Sequence, residues 1–440
     1  GSSPNATSSP SPSSCVSLTN QGSFFTSNVL VGTPGQSFDL VVDTGSSNLI
    51  VPSCACVGCN AHDSCFRKAE TSSFSEVEDE TGGSGLWVLS YGSGDILAKR
   101  VTDVVHVGSV EATMQDDMYL MMHTELDFRS SFEGILPLGL PEPGEPHFLD
   151  RAGVDRFSVC FNDNTRPGAL LFEPPFAPTM LPQIGQVHWG LGLAGISAGE
   201  ADAPALACGP STPMAPGQQT ACAAIPDSGT TLNMGPVEHI NTMYASLCER
   251  WPRCASRAQA PTENARSRAF QTLLYECHDW LPEAQGGINE VPSLFFRLTG
   301  RDNASEVVEL RPWSWIGEFL VHEVDIVTKE LFGHLNVSVP VFGDSLRRVC
   351  TAQFGAIDYA TPLQGPVWIL GAPLFYEYHV VFGRQNPSSG SIGFHRAPCD
   401  SCGGGASLVS AEAARAGRSR GPRQKLGRAR VRRFDTSQPL

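Results

Sequence analysis

"LVVDTGSSNLIVPS" occupies residues 40–53. Leu40–Val42 and Leu49–Val51 are β-branched and apolar, the composition of buried strands. Between them lie Asp43, Thr44, Gly45, Ser46 and Ser47. Once, this would be an ordinary turn, since Asp and Gly are common turn residues. It recurs as "AAIPDSGTTLNMG" at residues 223–235, with Asp227, Ser228, Gly229, Thr230 and Thr231 in the same order. Two apolar strands each ending in Asp, hydroxyl residue, Gly, hydroxyl residue suggest two related units. Docked face to face, they would bring two carboxylates together.

The rest of the chain fits a strand-rich protein. It has 440 residues, enough for two sizeable cores. Apolar residues make up 41% and charged ones 17%, which excludes a disordered chain. From Cys15 to about Leu120, short β-branched and aromatic runs alternate with turn residues, as in antiparallel β-structure. "RFSVCFND" and "GALLFE" read as a hairpin around Asn164–Pro167. Val237–Trp251 has helical spacing, with Ile240, Met243, Tyr244 and Leu247 on one face. "PSLFFRLTG" and "SEVVELRP" read as strands, and residues 367–396 as three more with a turn at Pro387–Gly390. The expected organisation is a flexible segment 1–14, a first lobe 15–190, a second lobe 191–402 and a disordered basic tail 403–440.

Net charge is −15, unevenly spread. The segment 403–440 carries nine Lys/Arg against Glu412 and Asp435, so the rest of the chain holds −22. An acidic body argues against nucleic acid as a partner. The basic tail reads as a solvated segment, with contact to an anionic membrane or a partner as the alternative. No apolar run is long enough to span a membrane. The chain begins at Gly1 with no Lys or Arg in residues 1–14, and is read as a mature form whose leader lies outside it. Fourteen Cys and the sequons at Asn5, Asn303 and Asn336 point to secretion or the lumen of the secretory or endolysosomal route. The eleven His show no paired-ligand spacing, and no phosphate-cradling Gly motif or GxSxG occurs.

Two carboxylates held close cannot easily both ionise, so they share a proton. One can then deprotonate a water while the other protonates the group under attack. Gly45 and Gly229 let backbone N–H groups approach the carboxylates, and the hydroxyls of Ser46 and Thr230 can reach their outer oxygens. No cofactor and no metal is needed.

With "SYGSGDI" (residues 90–96), "FEGILPLGL" (132–140) and "WILGAPLFYEYHVVFGRQ" (368–385), the two loops resemble those of pepsin-type aspartic proteases. The resemblance covers most of residues 20–398. It implies a mostly β, bilobal fold with an active-site cleft between the lobes, and a monomeric endopeptidase. Asp43 and Asp227 would be catalytic, supported by Thr44, Gly45, Ser46, Ser228, Gly229 and Thr230. Tyr91, Gly92, Ser93 and Gly94 would form a flap over an extended peptide. Ile369-Leu370-Gly371 would brace the second loop. Ile50 stands where many members have Trp, and Pro137 where a Gly is usual. The DSGTT form and Ala372 are more similar to the beta-secretase and plasmepsin branches than to pepsin. Cys54, Cys56, Cys59 and Cys65 fall where the family has a small disulfide loop and are read as two disulfides, with zinc as the alternative. Cys277 and Cys350 resemble a disulfide of the second lobe. The alternative function is a catalytically silent relative that binds a protein or glycan in the cleft.

Overall fold

The computed structural model describes residues 15–59, 64–77, 86–91, 94–124, 133–141, 145–162, 166–257, 262–331, 335–386, 389–400 and 402; side chains are not described for 323–331, 335–344, 385 and 386. The readings made for residues 1–14, Asn5, Gly92, Ser93, Asn164, Pro387 and the tail 403–440 lie outside this set, as does the side chain of Asn336.

The architecture is two β-rich lobes. In the first, the strand Gln36–Asp43 runs parallel to Ile135–Pro137 and antiparallel to Phe25–Val31. Leu49–Val57 continues on the far side, parallel to Val110–Thr124. In the second, Cys222–Pro226 runs parallel to Gly365–Leu370 and antiparallel to Leu191–Ala198. Each strand that leads into one of the two Asp loops thus has a parallel neighbour. Such strands are covered on both faces and read as continuous apolar runs. Val42 and Ile225 are fully buried, as this requires.

The last two strands, His379–Asn386 and Ser389–His395, return to the first lobe. Arg156–Cys160 pairs antiparallel with His379–Asn386, and Leu181–Pro182 with Ser389–His395. A fourteen-stranded sheet therefore contains both the start and the end of the chain. Aromatic packing fixes this junction: Phe157 stacks on Phe382 at 4.9 Å, Phe25 stacks on Phe161 at 3.8 Å, and Tyr376 meets both Phe25 and Phe161 edge-on. Two disulfides, Cys15–Cys402 and Cys160–Cys399, bind the same junction covalently.

The helix Val237–Arg250 matches its amphipathic spacing, and Ile240, Met243, Tyr244 and Leu247 are buried. Three structures were not foreseen. Glu263–Tyr275 is a helix, opened by Thr262, whose side chain accepts from the Ala265 N–H. Ala372–Glu377 is a short helix between two strands, because Pro373 sits in its first turn where a missing N–H costs nothing. Ile316–Leu331 and Leu335–Ala352 pair as a long antiparallel ribbon.

Glu306, on the strand Ser305–Leu310, is half-buried, and one carboxylate oxygen meets no partner. Burial pushes its pKa up from 4.5 to about 7. A carboxyl with a raised folded pKa binds its proton more tightly when folded. The stability this gives is complete below the unfolded value and lost as pH climbs to about 7. Glu306→Gln is expected to match wild type in stability at pH 4 and exceed it at pH 8. Urea unfolding at the two pH values checks this, and an unchanged difference between them would refute it.

Candidate active site

Asp43 ends its strand and Asp227 directly follows the end of its own, and both are fully buried. Each loop binds its own carboxylate in the same way. Gly45 N–H donates to Asp43 Oδ1 at 3.0 Å, and Ser46 Oγ donates to Oδ2 at 2.6 Å. Gly229 N–H donates to Asp227 Oδ1 at 2.9 Å, and Thr230 Oγ1 donates to Oδ2 at 2.6 Å. Donors aimed at both oxygens stabilise an ionised carboxylate and fix its plane.

The loops also interlock. Thr44 N–H donates to Ser228 Oγ at 3.0 Å, and Ser228 N–H donates to Thr44 Oγ1 at 3.0 Å. Each hydroxyl passes its own proton onward: Thr44 Oγ1 to Pro226 O at 3.0 Å, Ser228 Oγ to Val42 O at 2.8 Å. This reciprocal lattice joins residues 184 apart. It brings each carboxylate against the other loop's glycine. A Cβ on Gly45 would lie 2.7 Å from Asp227 Cγ, and one on Gly229 would overlap Asp43 Oδ1. Glycine is required at both points for lack of space.

The turns behind the loops come next. In the second lobe, Asp227 N–H donates to Leu370 O at 2.9 Å and Ala372 N–H to Thr230 O at 2.9 Å. A Cβ on Gly371 would lie 2.5 Å from Thr230 O. In the first lobe Pro137 takes a strand position opposite Asp43. The support arrives two residues later. Leu138 N–H donates to Asp43 O and Gly139 N–H to Ser46 O, both at 2.8 Å. A Cβ on Gly139 would lie 2.5 Å from Ser46 O, the same close approach as Gly371 makes. Pro137 therefore leaves the first loop braced.

Sequence reasoning missed three side chains that hold these turns. Trp189 Nε1–H donates to Leu138 O at 2.9 Å, and His147 Nε2 lies 2.6 Å from Gly139 O. In the second lobe, buried Asn233 accepts the Gly371 N–H at 3.0 Å. Trp189 lies in a stretch that read only as a boundary, and a lone His or Asn gives no periodic signal.

Tyr91 and Gly94 pair across the end of the Leu86–Tyr91 and Gly94–Val107 hairpin, where the sequence places the flap. Tyr91 is half-buried against the cluster of Ile50, Ile96, Tyr119 and Ile135. Ile50 thus offers the ring an apolar contact and no hydrogen bond.

All fourteen cysteines are paired. Cys54 joins Cys65 and Cys56 joins Cys59, so the four thiols of the insert are consumed in two disulfides. Cys277 joins Cys350. Cys208 and Cys222 form another disulfide, with His239 Nδ1 at 3.9 Å from Cys208 Sγ. These three residues have the spacing of a metal cluster, but the sulfurs are bonded to each other and are not available as thiolate ligands. Burial lowers the His239 pKa, and its Nδ1 accepts a bond from Trp368 Nε1–H at 3.4 Å.

A family model described as eukaryotic aspartyl protease matches residues 24–149, which hold the first loop and the Tyr91 hairpin. Pepsin A of Sus scrofa is 24% identical over 381 residues, covering 82% of this chain and 78% of its own. Cathepsin E of Mus musculus is 24% identical over 383 residues, with the same two coverages. Procardosin-A of Cynara cardunculus is 25% identical over 452 residues, covering 86% and 84%. These matches support the pepsin-like eukaryotic aspartyl protease family. The pepsin-like bilobal arrangement accounts for the repeated loop, the two parallel strand pairs and the returning terminal strands.

Thr44→Val removes the hydroxyl that serves both Ser228 N–H and Pro226 O, leaving two buried groups unpartnered. Each is expected to cost about 1–3 kcal/mol. The urea midpoint should fall accordingly with the slope unchanged; a shift within error would show that the lattice adds nothing to stability.

Proposed function

We propose that the chain is an aspartic endopeptidase and that Asp43 and Asp227 are its catalytic pair. The observation that carries this reading is the reciprocal arrangement of the two loops, each with its glycine against the other's carboxylate. Two carboxylates in one dry site share a proton at mildly acidic pH, as in the pepsin type case. The ionised member takes a proton from a water lying between them as that water attacks the peptide carbonyl. The protonated member donates to the carbonyl oxygen, and the proton then reaches the leaving nitrogen. Ser46 and Thr230, donating to the outer oxygens, leave the inner faces for the water.

The substrate on this reading is an extended peptide laid as an added strand beneath the Tyr91 hairpin. Thr44, Gly45, Ser228 and Gly229 position the pair. No cofactor takes part, and the chain acts as a monomer. The two units are residues 15–190 and 191–402, with the last strand pair bridging them. Seven disulfides support an oxidising compartment, secreted or lumenal, since thiols stay reduced in the cytosol. Among the described residues no helix is long and apolar enough to cross a membrane. Exposed Asn303, in a turn with φ 63°, is a glycosylation acceptor in such a compartment. The DSGTT loop and Ala372 favour the beta-secretase and plasmepsin branches.

The test is cleavage of a mixed peptide library from pH 3 to 7.5, with and without pepstatin. Wild type is expected to cleave most strongly at acid pH and to be inhibited. Asp43→Asn and Asp227→Asn should each lower kcat/KM by at least about 10²–10⁴-fold. Folded wild type that cleaves nothing would favour the silent, ligand-binding alternative. Cleavage that survives both changes would sink the dyad.

A further inference from the structure

Cys56-Val57-Gly58-Cys59 closes on itself as a disulfide where the strand Leu49–Val57 ends. Its two cysteines are three residues apart, the shortest separation among the seven bridges. In the chain-entropy view a short loop restricts the unfolded chain least, so this bridge adds least to folding. The Cys-x-x-Cys spacing is also that of dithiols that exchange with other thiols. The bridge is within reach of a reagent. Val57 is 68% exposed, Gly58 is exposed, and both cysteines are half-buried. By contrast, Cys160–Cys399, Cys208–Cys222, Cys248–Cys254 and Cys277–Cys350 are buried. Cys15–Cys402 spans a separation of 387 residues. Cys54–Cys65 lies outside the short loop, and beside it Phe66 N–H donates to Pro52 O at 2.8 Å. Opening the inner bridge therefore frees only its own turn.

The turn is docked beside the Tyr91 hairpin. Val57 pairs with His123 on Val110–Thr124, His123 with Leu97 on Gly94–Val107, and Leu97 with Val88 on Leu86–Tyr91. Four strands thus run side by side from the bridge to the first strand of the hairpin. Gly58, at φ 83°, lets the turn close over the end of Val110–Thr124. A Cβ there would lie 3.2 Å from Thr124 O and 3.9 Å from His123 Nδ1. Cys56 and Cys59 pack on the apolar cluster that holds Ile50, Ile96, Tyr119 and Met121. Leu89 and Tyr91 of the hairpin pack on the same cluster. A two-stranded hairpin is marginal by itself and depends on the apolar surface beneath it.

We propose that Cys56–Cys59 is a thiol–disulfide exchange site for a dithiol reductant, and that opening it loosens the Tyr91 hairpin. A thiolate of the reductant attacks one sulfur of the bridge. The bond between the two cysteines breaks, a mixed disulfide forms, and the displaced sulfur takes up a proton. The second thiol of the reductant then displaces the protein sulfur, which is protonated in turn. The chain gains two electrons and two protons as two thiols, and the reductant leaves as its own disulfide. The oxidised partner reverses both steps. Once parted, the two sulfurs no longer hold the turn over Thr124 and the cluster, and Leu89 and Tyr91 lose part of their apolar support. The exchange is independent of whether Asp43 and Asp227 are catalytic. Its effect on peptides rests on the reading of the Tyr91 hairpin as the cover of the substrate. A looser cover weakens the hold on the peptide and leaves the chemistry of the pair as it was.

The test equilibrates the full-length chain in buffers of reduced and oxidised dithiothreitol, blocks free thiols by alkylation, and reads the fourteen cysteines by peptide mass spectrometry. Cys56 and Cys59 are expected to be alkylated together at a reduced-to-oxidised ratio at least about tenfold below that which opens any other pair. Another pair opening first, or Cys56–Cys59 opening only with the rest, overturns the exchange site. Amide hydrogen exchange then compares the selectively reduced chain with the oxidised one. Residues 86–98 should exchange about tenfold faster on reduction, with the helix Val237–Arg250 unchanged. Equal exchange in residues 86–98, or equal acceleration in that helix, overturns the coupling. The double variant Cys56→Ser/Cys59→Ser should exchange fast without reductant and ignore its addition. A response to reductant would assign the effect to another bridge and overturn the proposal. Should the variant fail to fold, reduced and alkylated wild type takes its place. In peptide cleavage, reduction is expected to raise KM about threefold to tenfold, with kcat within about twofold. An unchanged KM beside faster hairpin exchange and an inactive Asp43→Asn overturns the effect on the substrate and leaves the dyad reading intact. Wild type that shows no dyad-dependent cleavage overturns that reading, and the trapping and hydrogen-exchange measurements still decide the site.

Discussion

The structure depends on the reciprocal lock between two loops that lie far apart in the chain. Thr44 and Ser228 exchange N–H···O bonds and pass their own hydroxyl protons to the strands that deliver each loop. None of the four bonds works without both halves in place. The glycines add the second condition. Gly45 and Gly229 bring backbone within a Cβ's reach of the opposite carboxylate, so no side chain fits there. Burying two carboxylates would cost several kcal/mol each without compensation. Here donors on both oxygens of each carboxylate supply it.

A lock of this kind needs a rigid surround, and the fold provides it in layers. The strands that deliver Asp43 and Asp227 are each held by a parallel neighbour. Behind those neighbours sit turns that reach Ser46 and Thr230 through backbone N–H groups. Behind the turns sit His147, Trp189 and Asn233, each buried and each bonded to backbone. The two lobes use different side chains for this outer layer. The repeat is therefore strict at the carboxylates and relaxes outward, as packing tolerates any group that fills the space and satisfies the backbone.

The returning strands explain why the halves keep their relation. His379–Asn386 pairs with Arg156–Cys160, and Arg384 on that strand reaches Asp150 beside the first-loop support. The disulfides Cys15–Cys402 and Cys160–Cys399 enclose separations of 387 and 239 residues. Cross-links over such lengths restrict the unfolded chain, which is their main stabilising effect in the chain-entropy view.

The sequence by itself determined the β class, the two loops, the glycines within them and the hairpin carrying Tyr91. These are local patterns: an apolar run, a carboxylate, a turn residue at a fixed offset. It also marked the amphipathic helix Val237–Arg250, because burial on one face leaves a periodic trace. Pro137 stands where the resemblance expects a Gly, and a triplet pattern has no means of showing that Gly139 makes the close approach two residues later. The helix Ala372–Glu377, between two of the three strands expected in residues 367–396, went unmarked because its residues are buried on every side and have no period. His147, Asn233 and Trp189 became visible only in three dimensions. Each acts on a carbonyl or N–H many residues away, and a hydrogen bond to distant backbone writes nothing into the neighbouring sequence. Tertiary structure alone decided which backbone groups these side chains would meet.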